Sequence, residues 1–586
     1  MKKRKWIVLF VLPFTFIFLF FVSFFVSASD STDYFKSLLA PINPDFLKYM
    51  ENAGKRFSPA YDHTAAENRP LQGSIPSPID LSHVKGTIDE AVNNEYPARY
   101  DLRELNRVTS VKDQDGYPTC WIFAAFTSLE SCLLPDEHVD FSEWHMAVTH
   151  GFDYIIEEAG NSFMTTAYLI RWSGPVNETD VPYASSTNLS PYYPLVKHVQ
   201  QVVFLPKREG PLDNNTVKYF LMNDGPVDFA FFWTQEGFSN YTNSFYLPNN
   251  GGQNHRLAIV GWDDNYPASR FAICPPGDGA FIARNSWGSG WGEAGYCYMS
   301  YYDGSFQQFT SFNSAEAPNN YGTIYQYDPL GQTRTWGKID SWGANVFTAE
   351  SKEPLEAVGF YSMDANMNYE IHIYKNITGN TPTSGTLAFT KTGGITYPGY
   401  YTIKLDTPVP LTYGETFSVV VQFTNSNFQH SVPIETQIPG HSSAATANPG
   451  ESYISEDGIL WEDLTNVFPN ANVCIKAYAR YKKSNVSIQA ERKVVNGWII
   501  IRHYGEITIH VENLQEVPLS KLILYRESYG TENETEIVQE IYPDELVNGT
   551  YTYKDKYLER TLRYTYHVVA VDLDGVISSK SNLVCI

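Results

Sequence analysis

A cysteine at the start of a predicted helix is the first candidate for chemistry in this sequence. Apolar residues recur after it at three- and four-residue spacing, at Ile122, Phe126, Leu129 and Leu133. That spacing predicts a helix over residues 120–134 with one buried face. Thr119 is the predicted N-cap and Pro135 ends the run. Cys120 therefore falls in the first turn, where unpaired N–H groups and the helix dipole stabilise a thiolate, the nucleophilic form of cysteine.

A thiolate nucleophile needs a partner that holds and delivers a proton, and imidazole titrates in the required range. His255 opens a short apolar run, residues 255–262, which predicts a strand. Asn285 begins a Gly- and Trp-rich stretch, residues 285–292, after another predicted strand. An amide can accept a hydrogen bond from imidazole and fix its orientation without adding charge. Cys120, His255 and Asn285 are thus candidates for nucleophile, base and orienting residue, far apart in sequence as such groups usually are.

Three blocks of sequence resemble the papain family of cysteine peptidases. Residues 114–121, QDGYPTCW, are similar to the family's nucleophile motif. Residues 254–262 resemble its histidine strand, and residues 285–292, NSWGSGWG, resemble its asparagine block. The blocks occur in the family's order and at a spacing typical of it. The resemblance covers residues 96–303.

This resemblance implies an α+β fold of the papain type, with a helical lobe, a β lobe and a cleft between them. It implies that Cys120 attacks the scissile carbonyl, that His255 forms an ion pair with it and protonates the leaving amine, and that Asn285 orients His255. The Gln114 side chain and the Cys120 N–H would form the oxyanion hole, and Trp287 would shield the His–Asn contact from water. Protein or peptide substrates would be hydrolysed through a thioester, with no cofactor and no metal.

Several positions depart from the family pattern. Tyr117 stands where the family has a disulfide cysteine, and Pro118 replaces a small residue, removes a backbone donor and fixes φ beside the cleft. Arg256 follows the histidine directly, where a cation that points inward would depress the pKa of the imidazole. Gly160 and Asn161 stand where the family has its Gly-Gly edge for the substrate backbone, and the asparagine could narrow that edge.

The sequence leaves two other functions open. The departures at Pro118 and Arg256 are compatible with a cell-surface binding or adhesion protein whose peptidase domain is inactive. The same three residues could also pass an acyl group to an amine, which would make the protein an acyl transferase. The intact set of Cys120, His255, Asn285 and Gln114 favours the peptidase.

The N-terminus predicts export. Residues 2–5 are basic and residues 6–26 carry no charge, and the sequence Val-Ser-Ala then offers a cleavage point. This pattern is typical of a secretory signal within residues 1–28, although the apolar run is also long enough for an uncleaved membrane anchor. In both cases we expect the bulk of the chain outside the cytoplasm, secreted or at the cell surface.

Length and patterning divide the chain further. We predict five parts: a signal or anchor (1–28), a pro-segment or spacer (29–95), the peptidase domain (96–314), a lectin-like β-sandwich (315–483) and a fibronectin type III-like sandwich (484–586). Short helices are expected at residues 34–39 and 44–51. Residues 76–82 and 315–480 resemble prokaryotic papain-like enzymes that carry a lectin-like β domain, and residues 564–572 resemble a fibronectin type III module.

The two β domains would bind a glycan or a protein at a cell surface. Aromatic residues of the first β domain could stack sugars, but strand aromatics are more often part of a core. The candidates are Tyr325, Trp342, Phe347 and Tyr361.

The composition narrows the classes of partner. The 586 residues carry a formal net charge of −23, and a polyanion is repelled by phosphate backbones, so we expect no nucleic-acid partner. The six cysteines include no Cys-x-x-Cys pair, which argues against a thiolate metal site. With Cys120 reserved for catalysis, at least one of the other five should be free or intermolecular.

Overall fold

The computed structural model describes most of the chain: residues 28–56, 73–86, 95–189, 193–249, 251–480, 486–496, 501–511, 519–529, 534–556, 558, 563–572, 581 and 584–585. The predicted signal or anchor lies outside these ranges, apart from its last residue. Within them, no helix is long and apolar enough to cross a membrane.

The helices begin in the predicted pro-segment and continue into the first lobe of the peptidase region. They are α1 Ala28–Ser37, α2 Pro44–Arg56, α3 Cys120–Cys132, α4 Glu143–Thr149, α5 Ser162–Ile170, α6 Asn215–Asn223 and α7 Leu464–Val467. The first two overlap the helices predicted from the sequence, and α3 lies where the apolar spacing predicts it.

The strands dominate the rest of the chain. Those of the peptidase region are β1 Arg99–Asp101, β2 His198–Phe204, β3 Val227–Phe231, β4 Phe238–Ser239, β5 Ser244–Phe245, β6 His255–Asp263, β7 Ala280–Arg284, β8 Tyr296–Ser300 and β9 Gln307–Glu316. Those of the next region are β10 Tyr321–Tyr325, β11 Arg334–Trp336, β12 Asp340–Thr348, β13 Leu355–Ser362, β14 Met367–Lys375, β15 Thr386–Ile395, β16 Gly399–Val409, β17 Thr416–Thr424, β18 Val432–Glu435, β19 Ser452–Ser455, β20 Glu462–Asp463, β21 Asn472–Val473 and β22 Ile475–Arg480.

The peptidase region has two cores, one for each lobe. The helical lobe packs α3 and α5 around Phe126, Leu129 and Tyr168, and the β lobe packs β3, β6 and β7 around Phe229 and Trp262. Helix α3 is buried from its first residue to Ser131, so the prediction of a single buried face is wrong. Neighbours on all sides enclose the helix, and this was not visible in its own periodicity.

One sheet runs through the peptidase region into the β domain that follows. Strand β2 pairs with β9 on one side and with β16 on the other, where Tyr400 lies opposite Val202. Both pairings are antiparallel. Strand β9 also crosses the predicted boundary after residue 314. The β lobe and the first β domain therefore share backbone hydrogen bonds.

The first β domain is a sandwich. A six-stranded sheet in the order β15-β14-β17-β12-β19-β20 packs against strands of the continuous sheet around a common core. Tyr325, Phe347 and Tyr361 are buried in cores of the protein, which leaves Trp342 as the half-buried member of the four aromatic candidates for sugar stacking.

The C-terminal region forms two more antiparallel sheets. Their strands are β23 Val486–Asn496, β24 Ile501–Val511, β25 Leu519–Tyr529, β26 Glu534–Ile541, β27 Thr550–Asp555, β28 Arg563–Asp572 and β29 Val584–Cys585. Three strands form one sheet, β23-β24-β27, and four form the other, β26-β25-β28-β29, with Ile507, Leu524 and Tyr566 in a common core. This arrangement is compatible with a fibronectin type III module, which stays a prediction.

Candidate active site

Cys120 is the first residue of α3 and is fully buried. Thr119 occupies the N-cap position, but its side chain makes no capping hydrogen bond and instead contacts the Tyr183 hydroxyl at 2.6 Å. Burial raises the pKa of the Cys120 thiol to about 12, against the opposite effect of the backbone N–H groups of Arg256 and Gly73. The expectation of a stabilised thiolate is therefore wrong for this form of the protein, because the helix terminus is closed off from water.

His255 and Asn285 are brought together by neighbouring strands. His255 is the first residue of β6, and Asn285 directly follows β7, which pairs with β6. The His255 Nε2 lies 2.9 Å from the Asn285 Oδ1. The other ring nitrogen, Nδ1, has no hydrogen-bond partner among the described residues. Burial lowers the pKa of His255 to about 4, while the contact with Asn285 raises it.

Trp287 covers the histidine as the resemblance implies. Its ring stacks on His255 with 4.7 Å between centroids and 22° between planes. This contact keeps water from one face of the imidazole and adds to the burial that keeps the ring neutral.

Gln114 is fixed at both ends of its amide. Its Nε2 donates to the Tyr117 carbonyl at 2.7 Å, and its Oε1 accepts from the Ser286 hydroxyl at 2.6 Å. An amide nitrogen carries two hydrogens, so one donor remains for an oxyanion. Ser286 was not predicted as a site residue, although it follows Asn285 directly in the asparagine block.

The Arg256 side chain points inward, the orientation in which a cation could lower the pKa of the imidazole, but its charge is balanced. The guanidinium is 0% exposed and forms an ion pair at 2.6 Å with Asp228, which is also 0% exposed. The lowered pKa of His255 arises from burial and not from this cation. Asp228 was missed because nothing in the sequence places β3 beside β6.

The predicted pro-segment passes directly over Cys120. A Cβ at Gly73 would lie 2.5 Å from the Cys120 Sγ and 2.6 Å from the Pro118 carbonyl oxygen. No side chain fits between the segment and the sulfur, so the close approach requires glycine here. No sequence signal marked Gly73, since its role depends on what lies beneath it.

The same segment pairs with the edge expected to hold substrate. The Gly160 N–H donates to the Gly73 carbonyl at 3.2 Å, and the Ile75 N–H donates to the Gly160 carbonyl at 3.0 Å. Ser74 and Gly160 form a parallel bridge. The Asn161 side chain caps α5 by accepting from the Phe163 and Met164 N–H groups, and its Nδ2 donates to the Pro76 carbonyl of the segment at 3.4 Å. The narrowing of the edge stays a prediction.

The rest of the segment is held by the first β domain. The Phe35 ring of α1 stacks on Trp336 at 5.7 Å, and the Trp336 indole N–H donates to the Phe35 carbonyl at 2.8 Å. After the active site, the His83 ring stacks on Phe428 at 4.0 Å. The segment is therefore fastened to the β domain on both sides of the cleft.

The cysteines agree with the expectation that at least one of the five besides Cys120 is not paired within the chain. Each of the six cysteines is free in the structure, including Cys132, which ends α3. Among the described residues no group of His, Cys, Asp and Glu could hold a metal ion.

A cysteine on a helix terminus, a histidine on the facing strand and an asparagine behind it, joined to a β-sandwich, define a two-lobed cysteine peptidase with an accessory β domain. Residues 96–315 match the model of the papain family cysteine protease, and residues 324–479 match that of the lectin-like domain. The chain thus carries a papain-family peptidase domain followed by a lectin-like domain, as the sequence predicted.

A similar solved structure joins the same two domains. It is the crystal structure of the cysteine protease and lectin-like domains of Cwp84, a surface layer associated protein of Clostridium difficile. The identity is 25%, the TM-score 0.63, and the match covers 76% of this chain and 98% of that one. A second structure, of the clostridial cysteine protease Cwp84 after propeptide cleavage, has a TM-score of 0.59 at 25% identity and covers 66% of this chain and 99% of that one.

Curated relatives match the peptidase region. The cysteine protease Amb a 11.0101 of Ambrosia artemisiifolia is 29% identical over 238 residues, which is 39% of this chain and 56% of the relative. The viral cathepsin of Epiphyas postvittana nucleopolyhedrovirus is 31% identical over 210 residues, 34% of this chain and 58% of the relative. The chain thus spans a little over half the length of these relatives.

Proposed function

We propose that this protein is an exported cysteine endopeptidase made as an inactive precursor, with the residues before the peptidase domain as its pro-segment. The single observation that carries the proposal is the hydrogen bond between His255 and Asn285, which leaves the other ring nitrogen free for the Cys120 sulfur. Asn285 thereby sets the ring orientation that a general base needs.

The reaction follows from these positions. With the cleft open, the Cys120 thiolate attacks the scissile carbonyl carbon, and the oxyanion accepts hydrogen bonds from the Gln114 amide and the Cys120 N–H. The C–N bond breaks as protonated His255 gives its proton to the leaving amine, and a thioester remains. His255 then takes a proton from water, the hydroxide attacks the thioester, and the acid leaves as the thiolate is restored.

The pro-segment explains why the precursor would be inactive. An extended substrate would need the Gly160 edge that Ser74 occupies, and it would need the space above the sulfur that Gly73 fills. The pro-segment and a substrate therefore cannot occupy the cleft at the same time. The buried thiol and imidazole are both held in their neutral forms, since burial shifts the pKa of Cys120 upward and that of His255 downward.

The alternative of an inactive binding protein loses one of its two grounds. The Arg256 cation does not act on His255 unopposed, because Asp228 neutralises it. The similarity to a surface layer associated protein supports a place at the cell surface, where the lectin-like domain would contact a glycan or protein.

The test is peptide hydrolysis by the full chain under reducing conditions, before and after removal of the pro-segment, beside Cys120→Ala. We expect cleavage of a mixed peptide library only after removal, and none by the variant. Mass analysis of the products separates hydrolysis from acyl transfer to an added amine. Absence of both activities in the freed enzyme would contradict the proposal.

A further inference from the structure

A buried ion pair of the β lobe lies next to His255 and contacts the helical lobe through Ser162. Arg256 follows His255 on β6, and its guanidinium contacts Asp228 on the neighbouring strand β3. The Arg256 Nε lies 2.8 Å from Oδ1 of Asp228, and Nη2 lies 2.6 Å from Oδ2. Both side chains are wholly enclosed. A bidentate pair of this kind has fixed geometry as well as charge.

The same guanidinium contacts the helical lobe. Its Nη2 donates to the Ser162 hydroxyl at 2.6 Å, and Ser162 is the first residue of α5. That hydroxyl lies 3.0 Å from Asp228 Oδ2 and 3.1 Å from the Thr310 hydroxyl of β9. The guanidinium also donates to the Gln308 carbonyl at 3.1 Å. Four elements, α5, β3, β6 and β9, therefore meet at one side chain.

This junction lies between the two halves of the catalytic pair. Cys120 belongs to the helical lobe and His255 to the β lobe, so their separation depends on how the lobes are held. Arg256 is bonded through the backbone to His255 and through Ser162 to the helical lobe, and its own backbone N–H is directed at the Cys120 sulfur.

We propose that Arg256 and Asp228 are positioning residues that set the approach of His255 to Cys120 and the electrostatic field at the sulfur. This inference rests on the proposed function of Cys120. Arg256 favours the thiolate, and Asp228 opposes it. From the described part of the pro-segment, the uncharged Gly73 lies against the sulfur.

The two charges can be separated by mutation. In Asp228→Asn the cation remains without its partner, so we expect the pH midpoint for Cys120 alkylation to fall by at least about 0.5 unit. In Arg256→Met the cation is lost, so the midpoint should rise by a similar amount. In the double variant Arg256→Met with Asp228→Leu the midpoint should return towards that of the parent. If the ion pair only stabilised the fold, the two single variants would not shift the alkylation midpoint in opposite directions.

The measurement uses the full chain in a Gly73→Val background, since a Cβ at residue 73 cannot lie over the sulfur. Iodoacetamide alkylation of the peptide that contains Cys120 is followed by mass spectrometry across pH, which separates it from the exposed Cys274 and Cys585. Arg480→Met is the matched control, because Arg480 pairs with Glu356 at the surface and far along the chain.

Turnover provides the second readout. Arg256→Lys keeps a cation but cannot span Asp228, Ser162 and Gln308 together. We expect its alkylation midpoint to stay near that of the parent, while kcat falls about 10- to 100-fold with little change in KM, as for misplaced reacting groups.

The outcomes are distinct. Equal alkylation midpoints in the parent, both single variants and the double variant would overturn the positioning role and leave the proposed peptidase intact. A Cys120 that resists alkylation at every pH in every variant, also after proteolytic removal of the pro-segment, would overturn both, because it would not be a reactive thiol even in the uncovered cleft.

Discussion

Gly73 lies against the sulfur of Cys120, at a distance that excludes even a methyl group: a Cβ there would be 2.5 Å from Sγ. The chain that precedes the peptidase domain thus lies directly on the proposed nucleophile. Its backbone also takes the hydrogen bonds of Gly160 that a substrate would use. The absence of a side chain at residue 73 therefore lets the segment lie over the sulfur.

Replacing that glycine should open the precursor. In Gly73→Val the side chain must push the segment away from Cys120 and the Pro118 carbonyl, and we expect the unprocessed full chain to hydrolyse peptides. Initial rates of the intact chain measure this. Gly210→Val is the matched control, since nothing lies within 4 Å of a Cβ there, and it should stay inactive. A silent Gly73→Val precursor that becomes active on processing would contradict the prediction.

The hydrogen bond from Ser286 to Gln114 should contribute to the rate. Gln114→Ala removes an oxyanion donor, which typically costs about 10²- to 10³-fold in kcat. Ser286→Ala keeps the Gln114 N–H donor but removes the hydrogen bond that holds the Gln114 amide in place. We therefore expect a smaller loss in kcat, with KM unchanged. Steady-state kinetics of the processed enzyme test this beside Ser289→Ala, an exposed serine in the same block. Equal kcat values for Ser286→Ala and the parent would show that the Gln114 amide does not depend on the hydrogen bond from Ser286.

In the full chain carrying Cys120→Ala, acid should favour release of the pro-segment. The thiol must be absent, because in the parent His255 would take its proton from Cys120 on opening and the total number of bound protons would not change. Burial lowers the pKa of His255 to about 4, from an ordinary value of 6.5. It lowers that of His441, which contacts Phe46 of α2, to about 3. A group whose pKa is depressed in the closed form binds more protons in the open form, so the closed form loses stability as pH falls below 6.5 and down to about 4.

Limited proteolysis of the full chain carrying Cys120→Ala measures this opening without self-processing. We expect cleavage of the pro-segment to be constant above pH 7 and to increase as the pH falls to 4. In His441→Gln the increase should be smaller. A cleavage rate that falls as the pH falls, after correction for the pH dependence of the protease itself, would contradict the predicted direction.

The lectin-like domain should help to keep the precursor closed. Phe35→Ala removes the ring that stacks on Trp336, and such pairs contribute about 0.5–1.5 kcal/mol beyond their buried area. We expect the open population to rise roughly two- to tenfold. The same proteolysis assay compares it with Tyr34→Phe, which keeps the ring and loses the exposed hydrogen bond from the hydroxyl to Glu456. Identical opening in the two variants would show that α1 is not part of the closure.

Much of this architecture could be predicted from local pattern. The helix that begins at Cys120, the strand that begins at His255 and the run of β-strands after residue 315 all follow from apolar spacing and turn residues. The asparagine block and Gln114 followed from resemblance, and the structure joins Asn285 to His255 and Ser286 to Gln114 by hydrogen bonds. The closure of α3 on all sides could not be predicted, since burial depends on neighbours from distant parts of the chain.

The sequence by itself determined which groups can do chemistry: a thiol at a helix start, an imidazole at a strand start and an amide to orient it. Only the tertiary structure decided their state. Gly73 covers Cys120, Asp228 neutralises Arg256, and burial holds thiol and imidazole uncharged. The physical reason is that pKa values and access depend on the solvent and charges around a group, and contacts between residues far apart in the chain create those surroundings.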